Sequence, residues 1–147
     1  MTKIEAASVV ASVAGQPNIL LIMADQLSAP FLSIHGGPAI TPNIDRLAAE
    51  GTTFTSAYSN SPLCAPARFA MMSGQLNSKI GAYDNASEFT SSIPTFAHHL
   101  RSAGYQTTLV GKMHFVGADQ LHGYEERLTT DIYPADFGWT PNWGDAD

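Results

Sequence analysis

An α/β fold built on a largely parallel sheet is predicted by three features of this sequence. The stretch Asn18-Ile19-Leu20-Leu21-Ile22-Met23 is an unbroken apolar run of strand length, as in a strand buried on both faces of a parallel sheet. A helical pattern with a clear start and stop follows it at residues 41–51. The pattern then continues as strand, helix, helix, strand, so that strands and helices alternate along the chain.

Each element has its own sequence logic. The first strand ends at Ala24-Asp25-Gln26, and a turn containing Gly36-Gly37-Pro38 follows. In the first helix Thr41 is the expected N-cap and Pro42 occupies the first helical position. Ile44, Leu47 and Ala48 form its inner face, and Gly51 stops it. Phe54-Thr55-Ser56-Ala57-Tyr58 alternates like a short strand. A short helix is expected from Pro66 to Ser73, ending at Gly74, and a loop from Gln75 to Ser92. A further helix is expected over residues 94–103, capped by Ser92 and stopped by Gly104, and then a strand from Tyr105 to Val110. Beyond Gly111 loop chemistry dominates.

The bulk composition narrows the function classes. With 147 residues and 44 % apolar side chains, the chain suits one domain with a core. Seven basic against thirteen acidic side chains give a net charge of −6. There is no basic stripe, so nucleic acid is not an expected partner. No apolar run approaches the ~20 residues of a membrane-spanning helix, so no membrane partner is expected. A single cysteine excludes an internal disulfide. Residues 1–16 read as an N-terminal tail rather than a secretion signal, because the basic flank is weak and the apolar part lacks Leu and Phe. The expected location is cytoplasmic, with the periplasm as the alternative.

Asp25 and Gln26 stand just past the carboxyl end of the first strand, where ligands gather in open α/β sheets. Both offer hard oxygens suited to Ca²⁺ or Mg²⁺, although the Gln is uncharged. Arg68 follows Cys64 by four residues, about one helical turn. Its guanidinium and the backbone N–H groups of a helix start then lie beside residue 64, a setting that favours a bound anion. Taken alone, Cys64 also suits a small buried core residue, and Arg68 a solvated helix charge. Lys112 and His114, in Gly111-Lys112-Met113-His114-Phe115, fall on the same side of an extended backbone. In isolation that pair also suits an exposed cation and a packed imidazole. His98 and His99 are adjacent on a helix, about 100° apart, and are read as structural. His35 and His122 have no motif around them. Gly36-Gly37 is a turn rather than a phosphate loop, since no Lys-Ser or Lys-Thr follows.

The run Cys64-Ala65-Pro66-Ala67-Arg68 resembles the signature of type I sulfatases, in which the cysteine is oxidised to formylglycine. Gly111-Lys112-Met113-His114 resembles that family's Gly-Lys-x-His segment. The similarity is closest to the choline-sulfatase subfamily. It is carried by Met23-Ala24-Asp25-Gln26, Ser73-Gly74-Gln75-Leu76, Gly81-Ala82-Tyr83-Asp84-Asn85-Ala86 and the long stretch from Asp119 to Trp139. Asp-Gln in place of the usual Asp-Asp matches this subfamily, whereas Ala67 stands where most sulfatases have Ser.

The resemblance implies an alkaline-phosphatase-like α/β fold with a mixed or parallel sheet flanked by helices. Residues 17–147 would form the N-terminal part of its catalytic domain. It implies hydrolysis of a sulfate ester, choline sulfate first, in which a hydroxyl of hydrated formylglycine attacks sulfur, the alcohol leaves, and the second hydroxyl then expels sulfate. Catalytic roles fall on Cys64, Arg68, Lys112 and His114. Metal ligation falls on Asp25, Gln26 and Cys64, with Ca²⁺ expected and Mg²⁺ or Mn²⁺ as alternatives. Trp139 is the candidate cation–π wall for a quaternary ammonium, with a core Trp on a loop as the alternative, and Asn85 is a candidate contact to the sulfate or to the residues that hold it. A formylglycine-generating enzyme is the implied maturation partner, and homo-oligomerisation of the full-length protein stays open. In the family the remaining metal ligands lie beyond the length of this sequence, so the 147-residue chain alone is expected to be inactive. A phosphonate or phosphate monoester hydrolase of the same superfamily is the alternative activity, and a non-catalytic fragment the non-enzymatic one.

Overall fold

The computed structural model describes residues 15–129. Its contacts divide the chain into two units, one ending at Asp45 and the other beginning at Arg46. The tail at residues 1–14 and the candidate residue Trp139 lie outside the described residues.

In the first unit, residues 16–24 take no regular secondary structure, contrary to the expected buried strand. Ile19, Leu20 and Ile22 are exposed, Leu20 to 83 %. An apolar run supplies the tendency to extend, but a strand also needs a neighbour that completes its hydrogen-bond ladder. None of the described strands provides that neighbour. Asp25 and Gln26 form a turn, and Gln26 has φ 56°. Two 3-10 turns follow, Ala29–Phe31 and Ser33–His35, and Gly36 ends the second in the left-handed region.

The first helix is α1 (Pro42–Glu50), with Pro42 at its first position as expected. The hydroxyl of Thr41 is engaged elsewhere than in capping, since it accepts the Ser33 backbone N–H at 3.3 Å. Ser33 Oγ in turn donates to the Asp45 carboxylate, 2.8 Å from Oδ1 and 2.7 Å from Oδ2. Of the expected inner face, Ile44 and Leu47 are exposed and Ala48 is partly buried.

The second unit holds the core. Helix α2 (Cys64–Ser73) starts two residues earlier than the sequence suggests. Ala65, Phe69 and Met72 recur at helical spacing and are buried together with Ile80, Ala82, Phe89, Ala97, Leu109, Met113, Phe115 and Tyr124. Gly74 ends α2 with φ 66°, and its N–H bonds to the Ala70 carbonyl. Within the expected loop lies a single-turn helix, α3 (Asn77–Ile80). Asn77 Nδ2 ties it to the Pro66 carbonyl at 2.8 Å.

Helix α4 (Phe96–Ser102) is capped by Thr95 rather than Ser92. The Thr95 N–H donates to His98 Nδ1 at 3.1 Å, and its hydroxyl donates to the His122 carbonyl at 2.6 Å. A residue with both a local and a distant partner displaces Ser92, which lies one turn too early.

The expected strand over residues 105–110 reduces to β1 (Thr108–Leu109). It pairs in parallel with β2 (Glu126–Arg127), Thr108 opposite Glu126 and Leu109 opposite Arg127. β2 lies where only loop chemistry was expected, because two residues carry no readable period. The expected strand over residues 54–58 is absent, and Phe54 and Tyr58 are exposed. Among the described residues no helix is long and apolar enough to cross a membrane.

Gly123 fixes how the loop before β2 meets α4. Its φ is 97°, and a Cβ there would lie 2.6 Å from His98 Nδ1 and 2.7 Å from the His98 backbone nitrogen. Gly123→Ala is expected to destabilise the protein by about 2 kcal/mol or more, since backbone strain and steric clash both act. A chemical-denaturation midpoint unchanged from wild type would contradict that assignment.

Candidate active site

The site is built from the start of α2. The first turn of a helix leaves backbone N–H groups without intrahelical partners. Here the N-cap is Leu63, which has no side-chain oxygen to offer. The missing acceptor comes from twenty residues away: Asn85 Oδ1 takes the Ala65 N–H at 3.1 Å. Asn85 sits in a loop that its neighbours hold rigid. Asp84 Oδ1 accepts the Ala86 N–H at 3.0 Å and the Ser87 hydroxyl at 2.9 Å, while Ser87 Oγ accepts the Tyr83 N–H at 3.0 Å. On the other side, Ser61 Oγ accepts the Leu63 N–H at 3.2 Å and shapes the entry to Cys64. Cys64 is partly buried at the first position of α2.

Arg68 lies one turn further along and is buried, with 6 % of its surface exposed. Its Nη1 donates to the Lys112 carbonyl and lies 3.8 Å from Met113 Sδ. A guanidinium in that position ties residues 112 and 113 to α2 and buries a fixed positive charge between them. Lys112 is partly buried, and residues 113–116 are buried. His114 has φ 59°, so the backbone is not extended there and the expected same-side placement of Lys112 and His114 does not follow from strand geometry. A non-glycine residue in the left-handed region at a candidate proton-transfer position is the kind of strain that functional sites retain.

Behind these residues lies a cluster of rings. Phe69 of α2 stacks on Phe89 with centroids 4.5 Å apart and planes 6° from parallel. Phe115, next to His114, lies 6.3 Å from Phe69 and 6.2 Å from Phe89. The His122 ring completes the cluster, 4.5 Å from Phe89 and 4.4 Å from Phe115. The sequence reading missed these residues as parts of the site. The one available signal was Gly123 after His122, the small residue needed where a loop closes on a neighbour.

The second unit thus joins Cys64, Arg68 and Asn85 around the start of α2, and Arg68 holds the segment that carries Lys112 and His114. Asp25 and Gln26 lie in the first unit, exposed on their turn. Among the described residues no group of three or more His, Cys, Asp or Glu side chains is arranged to hold a metal ion. Asp25 and Gln26 fit a hard divalent cation in donor type, and they would supply two of the six or more oxygens that Ca²⁺ takes.

The Sulfatase family model matches residues 17–142, and the chain belongs to the sulfatase family. It is 61 % identical over 132 residues to a choline-sulfatase of Rhizobium meliloti, covering 88 % of this chain and 25 % of that protein. Among solved structures it resembles a protein in complex with its substrate D-glucosamine-2-N,6-O-disulfate, with TM-score 0.70 and 38 % identity, over 76 % of this chain and 22 % of the other. It also resembles the phosphonate monoester hydrolase of Agrobacterium radiobacter, with TM-score 0.68 and 28 % identity, over 76 % of this chain and 25 % of the other. The alkaline-phosphatase-like α/β class follows from these neighbours. The chain spans about a quarter of the length of the curated relatives it matches.

Asn85→Ala removes the acceptor for the Ala65 N–H and is expected to cost about 1 kcal/mol. Asn85→Asp keeps an acceptor oxygen and is expected to recover most of the loss. Equal denaturation midpoints for Asn85→Ala and wild type would show that Asn85 does not support the helix start.

Proposed function

We propose that the protein to which this chain belongs hydrolyses a sulfate ester, choline sulfate, with Cys64 converted to formylglycine. The observation that carries the reading is the 61 % identity to a choline-sulfatase, together with Cys64, Pro66 and Arg68 at the start of α2. Formylglycine supplies, as its hydrate, an oxygen nucleophile that a thiol does not.

The roles of the other residues follow from their chemistry. The N–H groups at the start of α2 and the Arg68 guanidinium favour an anion beside residue 64. Asn85 keeps that helix start in place through the Ala65 N–H. The Lys112 ammonium neutralises a sulfuryl oxygen, and His114 accepts the proton released when sulfate departs. Asp25, Gln26 and the converted Cys64 each offer an oxygen suited to a divalent cation, Ca²⁺ in the first instance, and such a cation would withdraw electrons from the sulfuryl group. Trp139 offers a ring face to the quaternary ammonium, which cannot donate an ordinary hydrogen bond.

Similarity to a phosphonate monoester hydrolase keeps one second reading in view, since the same cationic groups suit a phosphoryl centre. Turnover of choline sulfate against its phosphate analogue separates the two. Preference for the sulfate ester supports the proposal, and preference for the phosphate analogue replaces it with the second reading.

The nucleophile is tested by mass. The tryptic peptide from Leu47 to Arg68, taken from protein made in its own host, is expected about 18 Da below the cysteine form. A peptide with the unmodified cysteine mass in actively hydrolysing protein would overturn the assignment.

A further inference from the structure

We infer that His122 is a positioning residue: as a neutral imidazole wedged between Phe89 and Phe115, it locks residues 111–116, with Lys112 and His114, against helix α2, with Cys64 and Arg68. The inference rests on the catalytic roles proposed above for those four residues.

The placement of His122 is fixed from several directions. Its side chain has no exposed surface. Its backbone has φ 42°, its N–H donates to Asp119 Oδ1 at 3.0 Å, and its carbonyl accepts the Thr95 hydroxyl. A residue held so tightly in an uncommon backbone conformation presents its ring in one orientation. That ring touches Phe115, the immediate neighbour of His114, and Phe89, which stacks on Phe69 of α2. The Phe89 N–H also bonds to the Val116 carbonyl at 3.3 Å, so ring and backbone contacts act on the same segment.

The position demands the uncharged form. Both ring nitrogens are buried without a hydrogen-bond partner among the described residues. Nδ1 lies 3.5 Å from Asp119 Oδ2, too long for a strong hydrogen bond. The charged groups that face the ring are Asp119 on its own loop, Glu88 beside Phe89, and His98 on α4. The two carboxylates favour a proton on His122, and His98 opposes it. Burial outweighs the carboxylates and holds the imidazole below its ordinary value. Asp119 stays ionised: burial would raise it, but the backbone N–H groups of His122 and Leu121 that it accepts hold it below the usual carboxylate range.

The sign of the pH effect follows. The unfolded or locally opened chain takes up a proton on His122 more readily than the closed one. The closed state therefore has its full stability above the ordinary imidazole value of about 6.5 and loses it as pH falls through that value. Acid would loosen residues 111–116 from α2.

The test compares wild type with His122→Phe, which keeps a ring in the stack and removes the proton site. Hydrogen exchange at residues 111–116, corrected for the intrinsic rate, is followed between about pH 7.5 and 5.5, which brackets the imidazole range. Wild type is expected to lose protection several-fold over this range, with His122→Phe losing little. The acid limb of choline sulfate hydrolysis is expected to move to lower pH in the same variant. Superimposable exchange profiles would overturn the inference, whatever the activity. Absence of turnover in both proteins would count against the proposed function alone, since the exchange comparison needs no substrate. Should His122→Phe fail to fold, imidazole nitrogen NMR of the wild type decides. A neutral ring near pH 6.5 supports the inference, and an imidazolium there refutes it.

Discussion

Phe69 lies on Phe89, and Phe115 and His122 pack against that pair, so that four rings from four separate stretches of chain share one buried cluster. This contact makes the rest of the second unit possible. The sheet offers only a two-residue ladder, and α3 is a single turn. Elements of that size cannot hold themselves in place, and burial of large apolar side chains has to do it. Each buried Phe contributes about 2–3 kcal/mol of transfer free energy. One such ring outweighs the net contribution of a typical hydrogen bond in the surrounding loops, about 1 kcal/mol.

The cluster also explains how polar groups come to stand at the start of α2. Phe69 projects from the same helix as Cys64 and Arg68, and Phe115 directly follows His114. Docking the rings brings the two chemistry-bearing stretches together, and Arg68 then bonds to the Lys112 carbonyl. A chain with net charge −6 thereby buries a cation on the helix that begins at residue 64, one turn further along. Fixed positive potential of this kind favours a bound anion, and its strength comes from positions set before any ligand arrives.

How much was legible in the sequence depends on the range of the interaction. Helices α1 and α2 could be read because Pro42 at a first position and Gly74 at a stop act through neighbouring backbone alone. The cap of α4 could not, because Thr95 is selected partly by the distant His122 carbonyl. The apolar stretches at residues 18–23 and 54–58 carry strand tendency, yet a strand exists only with a partner. β2 is the converse, an element made by its partner with almost no local signal. Cys64, Arg68, Lys112 and His114 were singled out through motifs that resemble the family's, as candidates. The structure added the bond from Ala65 to Asn85, the left-handed backbone of His114 and the His122 ring, which no short motif encodes.

Ring packing couples α2 to the segment bearing Lys112 and His114. A double-mutant cycle on Phe69→Leu and Phe115→Leu, measured by denaturant unfolding, tests it most directly. A coupling free energy of about 0.5–1.5 kcal/mol between the two positions is expected. Additive effects within about 0.3 kcal/mol would contradict it, because independent sites show no more than that.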